Sequence, residues 1–258
     1  MPPKRPKARQ PTRVSMIRKL LTWSLSIAAA IAVIGASWIY AALRDMSGAE
    51  YWETSIQAFE AKDVESLPPE GAVLFVGSSS IVFWRSLEKD FAPIPVINRG
   101  FGGSQMNHLN YYRNRIVDKY KPKIIVVYEG DNDLAAGLTA DELIEDYEDF
   151  IDYARRKLPG TKVCFIAIKP SVRREALWPT MLKVNREMQR RAETRANLCF
   201  FDIGPPMLNE KGRPRPELFV PDGLHMNSEG YKIWASTIRS TLLVMWTELQ
   251  RIENSDPH

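Results

Sequence analysis

The chain has 258 residues, of which 45% are hydrophobic and 26% are charged, and this balance excludes a disordered or collagen-like chain. The formal net charge of +4 is concentrated at one end, because residues 1–19 carry seven lysines and arginines and no acidic residue. Removing those seven charges leaves residues 20–258 at −3. The body of the chain therefore gives no electrostatic reason to expect nucleic-acid binding.

Residues 20–43 are predicted to form a transmembrane signal anchor, since they are 24 consecutive residues without a charge. A helix of this length spans about 36 Å, and the hydrocarbon core of a bilayer is about 30 Å thick. Trp23 lies near one end and Trp38 and Tyr40 near the other, where aromatic side chains favour the membrane interface. The alternatives are a cleaved signal peptide, whose apolar stretch is usually only about 7–15 residues long, or a buried core helix.

The charges that flank the anchor predict its orientation. Residues 1–19 form a basic tail, and basic residues mark the cytoplasmic side of a membrane segment. We therefore expect a single-pass protein of the inner (cytoplasmic) membrane, with the rest of the chain on the periplasmic or extracytoplasmic side.

After the anchor, a helix is predicted over residues 51–65, and Pro68 and Pro69 end it. Residues 44–70 are interpreted as a juxtamembrane helix and linker, and residues 71–254 as the main domain. In that domain, short apolar runs typical of buried strands alternate with helical stretches. The strand-type runs are 72–77, 95–100, 123–130, 163–168 and 198–204, and the helical stretches are about 105–119, 140–158, 178–196 and 227–251.

This alternation predicts an α/β domain with a parallel sheet. Parallel neighbours need a crossover connection, and the crossover helices cover both faces of the sheet. We expect a three-layer α/β/α sandwich with five parallel strands. Ligands of such sheets bind outside the carboxyl ends of the strands, so the residues that follow each strand are the ones to examine for chemistry.

The two cysteines, Cys164 and Cys199, each lie within an apolar strand-type run. A thiol in that setting most often packs as a small hydrophobic side chain, and this is the expectation here. Pairing of the two on neighbouring strands in an oxidising compartment is the alternative. The sequence has no CxxC, HxH or HExxH spacing, so no metal site is expected.

Four polar clusters follow strand-type runs or precede the last helix: residues 77–80, 98–105, 130–133 and 222–225. A serine at a strand-to-helix turn can act as a nucleophile when a base lies within hydrogen-bond reach. Among the three histidines, His225 is the best base, because His258 is terminal and His108 lies within a helical stretch. Asp222 stands three residues before His225, a spacing that allows its carboxylate to orient the imidazole.

Each cluster taken alone also has a structural interpretation. Gly-Ser-Ser-Ser is a common turn or helix-cap composition, and Asp-x-x-His can be a local hydrogen bond. Gly102 and Gly103 can serve a loop with positive φ, and Asn132 can cap the helix that follows it. The order of the clusters at successive strand ends is what favours a catalytic site.

That order resembles the SGNH hydrolase family, also called GDSL-type esterases and lipases, over about residues 71–240. Residues 77–79 are similar to the family's first block, Gly-Asp-Ser, and Gly103 matches the glycine of its second block. Residues 130–133 match the Gly-x-Asn-Asp block, and residues 222–225 match Asp-x-x-His. The resemblance therefore rests on four blocks in the family's order.

The resemblance implies that Ser79 is the nucleophile and that its neighbours Ser78 and Ser80 are turn residues. Ser78 stands where the family usually has Asp, so the sequence looks like a Gly-Ser-Ser-Ser branch of the family. The chain lacks the Gly-x-Ser-x-Gly elbow of α/β-hydrolases, because Ile81 stands at the position of the second glycine. A flavodoxin-like sheet is therefore expected.

The mechanism that the resemblance implies is acyl transfer through a covalent intermediate. His225 removes the proton of Ser79, and Asp222 orients and supports the imidazolium. The backbone N–H groups of Ser79 and Gly103 and the side-chain amide of Asn132 form the oxyanion hole. No metal or organic cofactor is needed by this chemistry.

The predicted function is that of a membrane-anchored serine esterase whose substrate is an acylated small molecule, glycan or lipid. Arg173, Arg174 and Trp178 follow the fourth strand, and Arg173 and Trp178 are possible substrate-binding residues. Asp133 and Asp202 also follow strands, where caps and turns explain them. An O-acyltransferase with the same triad and a catalytically inactive glycan-binding module are the alternative functions.

Overall fold

The structure is a computed structural model that describes Trp23 and residues 48–255. Contacts divide the chain into two units, residues 1–51 and 52–258. The sheet lies in the second unit, and so do all of the α-helices that are described after Trp23. Within the described part of the chain, no helix is long and apolar enough to cross a bilayer. Apart from Trp23, the predicted basic tail and anchor lie outside the described residues.

Five parallel strands form one sheet with the spatial order β2-β1-β3-β4-β5. They are β1 (Val73–Gly77), β2 (Val96–Gly100), β3 (Ile124–Tyr128), β4 (Lys162–Ile166) and β5 (Leu198–Phe201). This is the flavodoxin-like order, in which strand order reverses between β1 and β3. The sequence-based prediction of a five-stranded parallel sheet is confirmed, and every strand begins within one residue of its predicted start.

The helices also follow the predicted alternation. The α-helices are α1 (Glu53–Glu65), α2 (Ser79–Val82), α3 (Leu87–Phe91), α4 (Met106–Ile116), α5 (Asp131–Ala135), α6 (Ala140–Lys157), α7 (Trp178–Thr194) and α8 (Ser228–Ser255). Short 3-10 turns lie at Ala49–Trp52, Asp118–Tyr120, Glu175–Leu177, Pro205–Met207 and Pro216–Leu218. Helix α6 begins with a capping box, in which Thr139 Oγ1 accepts a hydrogen bond from the Glu142 N–H.

One face of the sheet is covered by α2, α3 and the long helix α8. The side chains of Phe75 in β1 and Tyr128 in β3 point to this face, where Phe75 packs against Trp84 and Tyr128 packs against Trp234 of α8. The Tyr231 hydroxyl of α8 donates to the Ser80 carbonyl at 2.9 Å. On this face, the last helix is therefore hydrogen-bonded directly to the segment that follows β1.

The opposite face is covered by α4, α6 and α7. Tyr147 of α6 packs against Phe165 of β4, with ring centroids 4.7 Å apart. Asn185 of α7 accepts from the Ile168 N–H at 2.8 Å and donates to the Ile168 carbonyl at 3.0 Å. These two hydrogen bonds therefore fix the segment after β4 against α7, just before the chain continues to the candidate site.

Helix α1 lies in the segment that we predicted to be a juxtamembrane helix and linker, and it packs against α4. Asp63 of α1 forms a buried ion pair with Arg99 of β2 and accepts from the Tyr120 hydroxyl at 2.5 Å. Arg115 of α4 forms ion pairs with Glu53 and Glu60 of α1. Ionic contacts at several points along its length therefore hold α1 on the domain.

The cysteine pairing differs from the expectation of two unpaired thiols. Cys164 and Cys199 are directly opposite each other on β4 and β5 and form a disulfide. The expectation was wrong because strand register cannot be read from the sequence, and only register places the two side chains side by side.

Candidate active site

The turn after β1 places one serine where it can react. Gly77 ends β1 with a φ of 135°, and a Cβ atom there would lie 2.0 Å from the Tyr128 carbonyl oxygen of β3. Only glycine fits this turn, which leads into the short helix α2. Ser78 and Ser80 are buried, whereas Ser79, the first residue of α2, is partly exposed. The structure thus separates Ser79 from the two serines that flank it.

Ser79, His225 and Asp222 form a continuous chain of short contacts. The Ser79 hydroxyl oxygen lies 3.0 Å from His225 Nε2, and His225 Nδ1 lies 2.6 Å from Asp222 Oδ2. The other carboxylate oxygen, Oδ1, accepts from the backbone N–H groups of Leu224 and His225 at 2.8 and 2.9 Å. The Asp-x-x-His spacing therefore forms a closed turn that fixes the imidazole against the serine.

The electrostatics of this turn set the tautomer of the histidine. Burial acts to raise the pKa of Asp222, but the hydrogen bonds from the His225 ring and from the two backbone N–H groups lower it to about 2. The carboxylate is therefore ionised at neutral pH and accepts a proton-bearing Nδ1. In the neutral imidazole, the unprotonated nitrogen is then Nε2, which is the atom that faces the Ser79 hydroxyl.

Gly103 and Asn132 lie on the loops that follow β2 and β3. Gly103 has a φ of 79°, which favours glycine, and the Asn132 amide donates from Nδ2 to the Ser104 carbonyl at 2.8 Å. Arg174 Nη2 donates to Asn132 Oδ1 at 2.8 Å. With Oδ1 bound by Arg174, the amide cannot flip, and its second Nδ2 hydrogen is left for a further acceptor.

A buried ion cluster supports Arg174. Asp131 accepts from Lys169 Nζ at 2.7 Å, and Arg174 Nη1 lies 3.2 Å from the same carboxylate oxygen. Burial raises the pKa of Asp131, but the Lys169 and Arg174 charges outweigh it and hold the pKa below its usual value. Lys169 was not predicted to belong to the site, although its position directly after a predicted strand could have indicated it. The orienting role of Arg174 was also missed.

Two further buried carboxyls connect the loops behind Asn132. Asp133 accepts from the Met106 N–H at 2.7 Å and from the Gly130 N–H at 3.0 Å, as expected for a residue that caps and turns the backbone. Burial raises the pKa of Asp133 to about 7. Burial also raises the pKa of Glu129, whose carboxyl accepts from the Ser104 hydroxyl at 2.5 Å.

The predicted substrate-binding residues lie in different surroundings. Arg173 is exposed, and its backbone N–H donates to the Gly223 carbonyl, so it lies beside the Asp222–His225 turn. Trp178 begins α7 and packs near Gly204, after β5. None of the described hydrogen bonds or ring contacts joins Trp178 to the triad, and substrate binding by either side chain stays a prediction.

Other sequence candidates have structural roles. His108 is buried, and its Nδ1 accepts from the Gln105 N–H at 3.0 Å in a capping box. Asp202 accepts from the Gly204 N–H at 3.1 Å within a turn. Across the described residues, no group of three or more His, Cys, Asp or Glu side chains is placed to bind a metal ion.

Solved structures with the same fold include several named hydrolases. A Streptococcus pneumonia protein whose description names platelet activating factor is 20% identical, with a TM-score of 0.67 over 83% of this chain and 99% of that chain. A GDSL-like lipase from Bacteroides thetaiotaomicron is 19% identical, with a TM-score of 0.62 over 72% and 96%. An acetylxylan esterase from Geobacillus stearothermophilus is 16% identical, with a TM-score of 0.55 over 66% and 93%. At these identities the likeness shows the fold alone.

The sequence itself also matches a known family. No curated protein matches the chain at a significant level. The family model of GDSL-like lipases and acylhydrolases matches residues 74–233, which is more than half of the chain and includes the strand-end clusters described above. The chain belongs to the GDSL-like Lipase/Acylhydrolase family.

Proposed function

We propose that the protein is a serine esterase that hydrolyses acyl esters through Ser79, His225 and Asp222. The observation that carries this proposal is the chain of contacts from Ser79 Oγ to His225 Nε2 and from His225 Nδ1 to the ionised Asp222. This is the geometry of a nucleophile, a general base and a group that orients the base.

In the first half of the reaction, Ser79 Oγ attacks the ester carbonyl carbon and its proton moves to His225 Nε2. The C–O bond to the alcohol then breaks, and the protonated imidazole returns the proton to the departing alcohol oxygen. In the second half, His225 takes a proton from water while the water oxygen attacks the acyl carbonyl carbon. The bond from that carbon to Ser79 Oγ then breaks, the imidazolium returns the proton to Ser79 Oγ, and the acyl group leaves as a carboxylic acid.

The oxyanion of each tetrahedral intermediate is proposed to bind the Ser79 and Gly103 N–H groups and the Asn132 amide. Gly102 adjoins Ser79, since a Cβ atom on Gly102 would lie 3.8 Å from the Ser79 Cβ. Asn132 is bound to the same loop through the Ser104 carbonyl. The three donors are therefore carried by segments that contact one another, and Arg174 holds the amide in one orientation.

We also propose that the domain lies on the extracytoplasmic face of the inner membrane, anchored by a helix over residues 20–43. The basic tail before the anchor supports this orientation. The Cys164–Cys199 disulfide supports it independently, because disulfides persist mainly in oxidising compartments. A reporter enzyme that is active only outside the cytoplasm, fused after His258, should be active, and activity of a cytoplasm-dependent reporter instead would overturn the topology.

The esterase proposal is tested by substitution in the purified full-length protein. Hydrolysis of a simple acetate ester should fall at least about 10³-fold in Ser79→Ala, because the nucleophile is lost. Asp222→Asn should cause a loss of similar order, because the imidazole is no longer held in the reactive tautomer. Unchanged hydrolysis in Ser79→Ala, with wild-type folding by circular dichroism, would refute the assignment.

A further inference from the structure

Three exposed apolar residues lie on separate segments that contact His225 or the Asp222–His225 turn. Phe83 is 42% exposed, Val172 is 41% exposed and Val220 is 36% exposed. The Phe83 ring meets the imidazole edge to face, with ring centroids 5.1 Å apart. The Val220 N–H donates to the His225 carbonyl at 2.9 Å, and a Cβ atom on Gly223 would lie 3.3 Å from the Val172 Cβ. We call these three side chains the apolar rim.

The backbone holds the apolar rim in a fixed relation to the triad. The Phe83 N–H donates to the Ser79 carbonyl at 2.9 Å, one turn beyond the nucleophile. The Gly223 N–H donates to the Val220 carbonyl, and the Gly223 carbonyl accepts from the N–H of Arg173, next to Val172. Single exposed apolar residues are ordinary, but three that border the turn carrying one base form a surface that a ligand can cover.

The orientation that the ester must adopt for attack by Ser79 determines which part of it contacts the apolar rim. The carbonyl carbon must lie at Ser79 Oγ, and the carbonyl oxygen must point toward Gly103 and Asn132. The alcohol oxygen must come within hydrogen-bond reach of His225 Nε2 to receive its proton. Groups attached to that oxygen therefore lie beside the imidazole and the Phe83 ring that packs on it, and the acyl chain leaves the carbonyl carbon in another direction.

We propose that the apolar rim binds the alcohol portion of the substrate and that this alcohol carries an alkyl or aryl group. The proposal rests on the proposed esterase function and adds the substrate class. An alkyl or aryl alcohol would remove the apolar surface of Phe83, Val172 and Val220 from water, which is favourable in proportion to the area buried. A polyhydroxylated sugar as the leaving alcohol presents hydroxyl groups to the same three side chains and gains much less.

The first test uses two ester series with the wild-type full-length protein, followed by acid release in a pH-stat. One series keeps the acetyl group and lengthens the alcohol from methyl to hexyl, and the other keeps methanol and lengthens the acyl group to hexanoyl. Each added methylene that becomes fully buried would raise kcat/KM roughly fourfold. Each one that becomes only half buried on the rim would raise it about twofold. The proposal expects this rise in the alcohol series. An alcohol series that stays flat, or that rises less than the acyl series, overturns it.

The second test uses variants of the rim with a matched control. Val172→Ser and Val220→Ser should each lower the hexyl-to-methyl ratio of kcat/KM about threefold or more, because the alkyl chain then meets a hydroxyl. Val244→Ser makes the same change at an exposed position of α8 and should leave the ratio at the wild-type value. A ratio unchanged in both rim variants overturns the proposal.

The two proposals fail in different ways. If Ser79→Ala retains the hydrolysis of every ester in both series, the esterase assignment itself fails. If hydrolysis depends on Ser79 but shows no preference for apolar alcohols, the assignment stands and the role of the apolar rim is refuted.

Discussion

Arg174 is predicted to act on catalysis through Asn132 without contacting the substrate. The substitution Arg174→Ala removes the 2.8 Å hydrogen bond to Asn132 Oδ1 and the ion pair with Asp131. It leaves the bond from Asn132 Nδ2 to the Ser104 carbonyl and the ion pair between Asp131 and Lys169. The amide therefore keeps one of its two anchors and loses the one that prevents it from flipping.

The size of the effect follows from the bond that is removed. A hydrogen bond to a charged group contributes about 1.5–3 kcal/mol, which corresponds to roughly 10- to 150-fold in rate. Complete loss of an oxyanion donor costs about 10²–10³-fold and sets the upper limit. Since the Ser104 anchor remains, we expect kcat to fall about 10- to 100-fold in Arg174→Ala, with KM changing less than about threefold.

A double-mutant cycle separates this mechanism from general damage. Asn132→Ala should lower kcat by about 10²–10³-fold, and adding Arg174→Ala to it should cost little more, because Arg174 acts through the missing amide. Arg190→Ala, which breaks an exposed ion pair with Glu187 on α7, is the control and should leave kcat unchanged. If the losses from Arg174→Ala and Asn132→Ala multiply, Arg174 does not act through Asn132 and the reasoning is refuted.

Three further predictions concern stability. Gly77→Ala should lower the free energy of unfolding by more than about 3 kcal/mol, because its Cβ would lie 2.0 Å from a carbonyl oxygen of the neighbouring strand; a wild-type melting temperature would contradict this. The raised pKa of Asp133, about 7, should make stability fall as pH rises from about 4 to 7, by up to about 1.4 kcal/mol per pH unit. In urea titrations Asp133→Asn should show a shallower fall, and an equal slope would exclude Asp133 as the cause. Reduction of the disulfide, whose cysteines are 35 residues apart, should cost roughly 3–4 kcal/mol, whereas a variant with both Cys164 and Cys199 changed to Ala should not respond to reductant.

The parallel sheet could be predicted, and the three residues proposed as a triad could be selected, because their signals are local or ordered along the chain. Each strand is a short apolar run closed by Gly, Lys or Pro, and both faces of the sheet are covered, so the runs stand out. Asp222 and His225 are three residues apart, and their contact is made within one turn. The pairing of His225 with Ser79 spans 146 residues and could be predicted only from the family's order of blocks.

The residues that could not be predicted depend on contacts between distant segments. Arg174 and Asn132 are separated by 42 residues, and nothing in the local sequence distinguishes Arg174 from its neighbour Arg173. The cysteine pairing depends on the register of β4 against β5, which hydrophobic pattern does not define when both faces are buried. Among the three adjacent serines, only the family resemblance selected Ser79, and the burial of Ser78 and Ser80 by the turn after Gly77 could not be read from the sequence.

The reactivity of Ser79 is tested most directly by covalent labelling. The full-length protein is treated with a fluorophosphonate, which reacts with activated serines, and the adduct is located by mass spectrometry after digestion. A single adduct on Ser79 that is lost in His225→Ala is the expected result, because the histidine must take the serine proton. An adduct on Ser78 or Ser80, or no adduct on a folded sample, would contradict the assignment of Ser79 as the nucleophile.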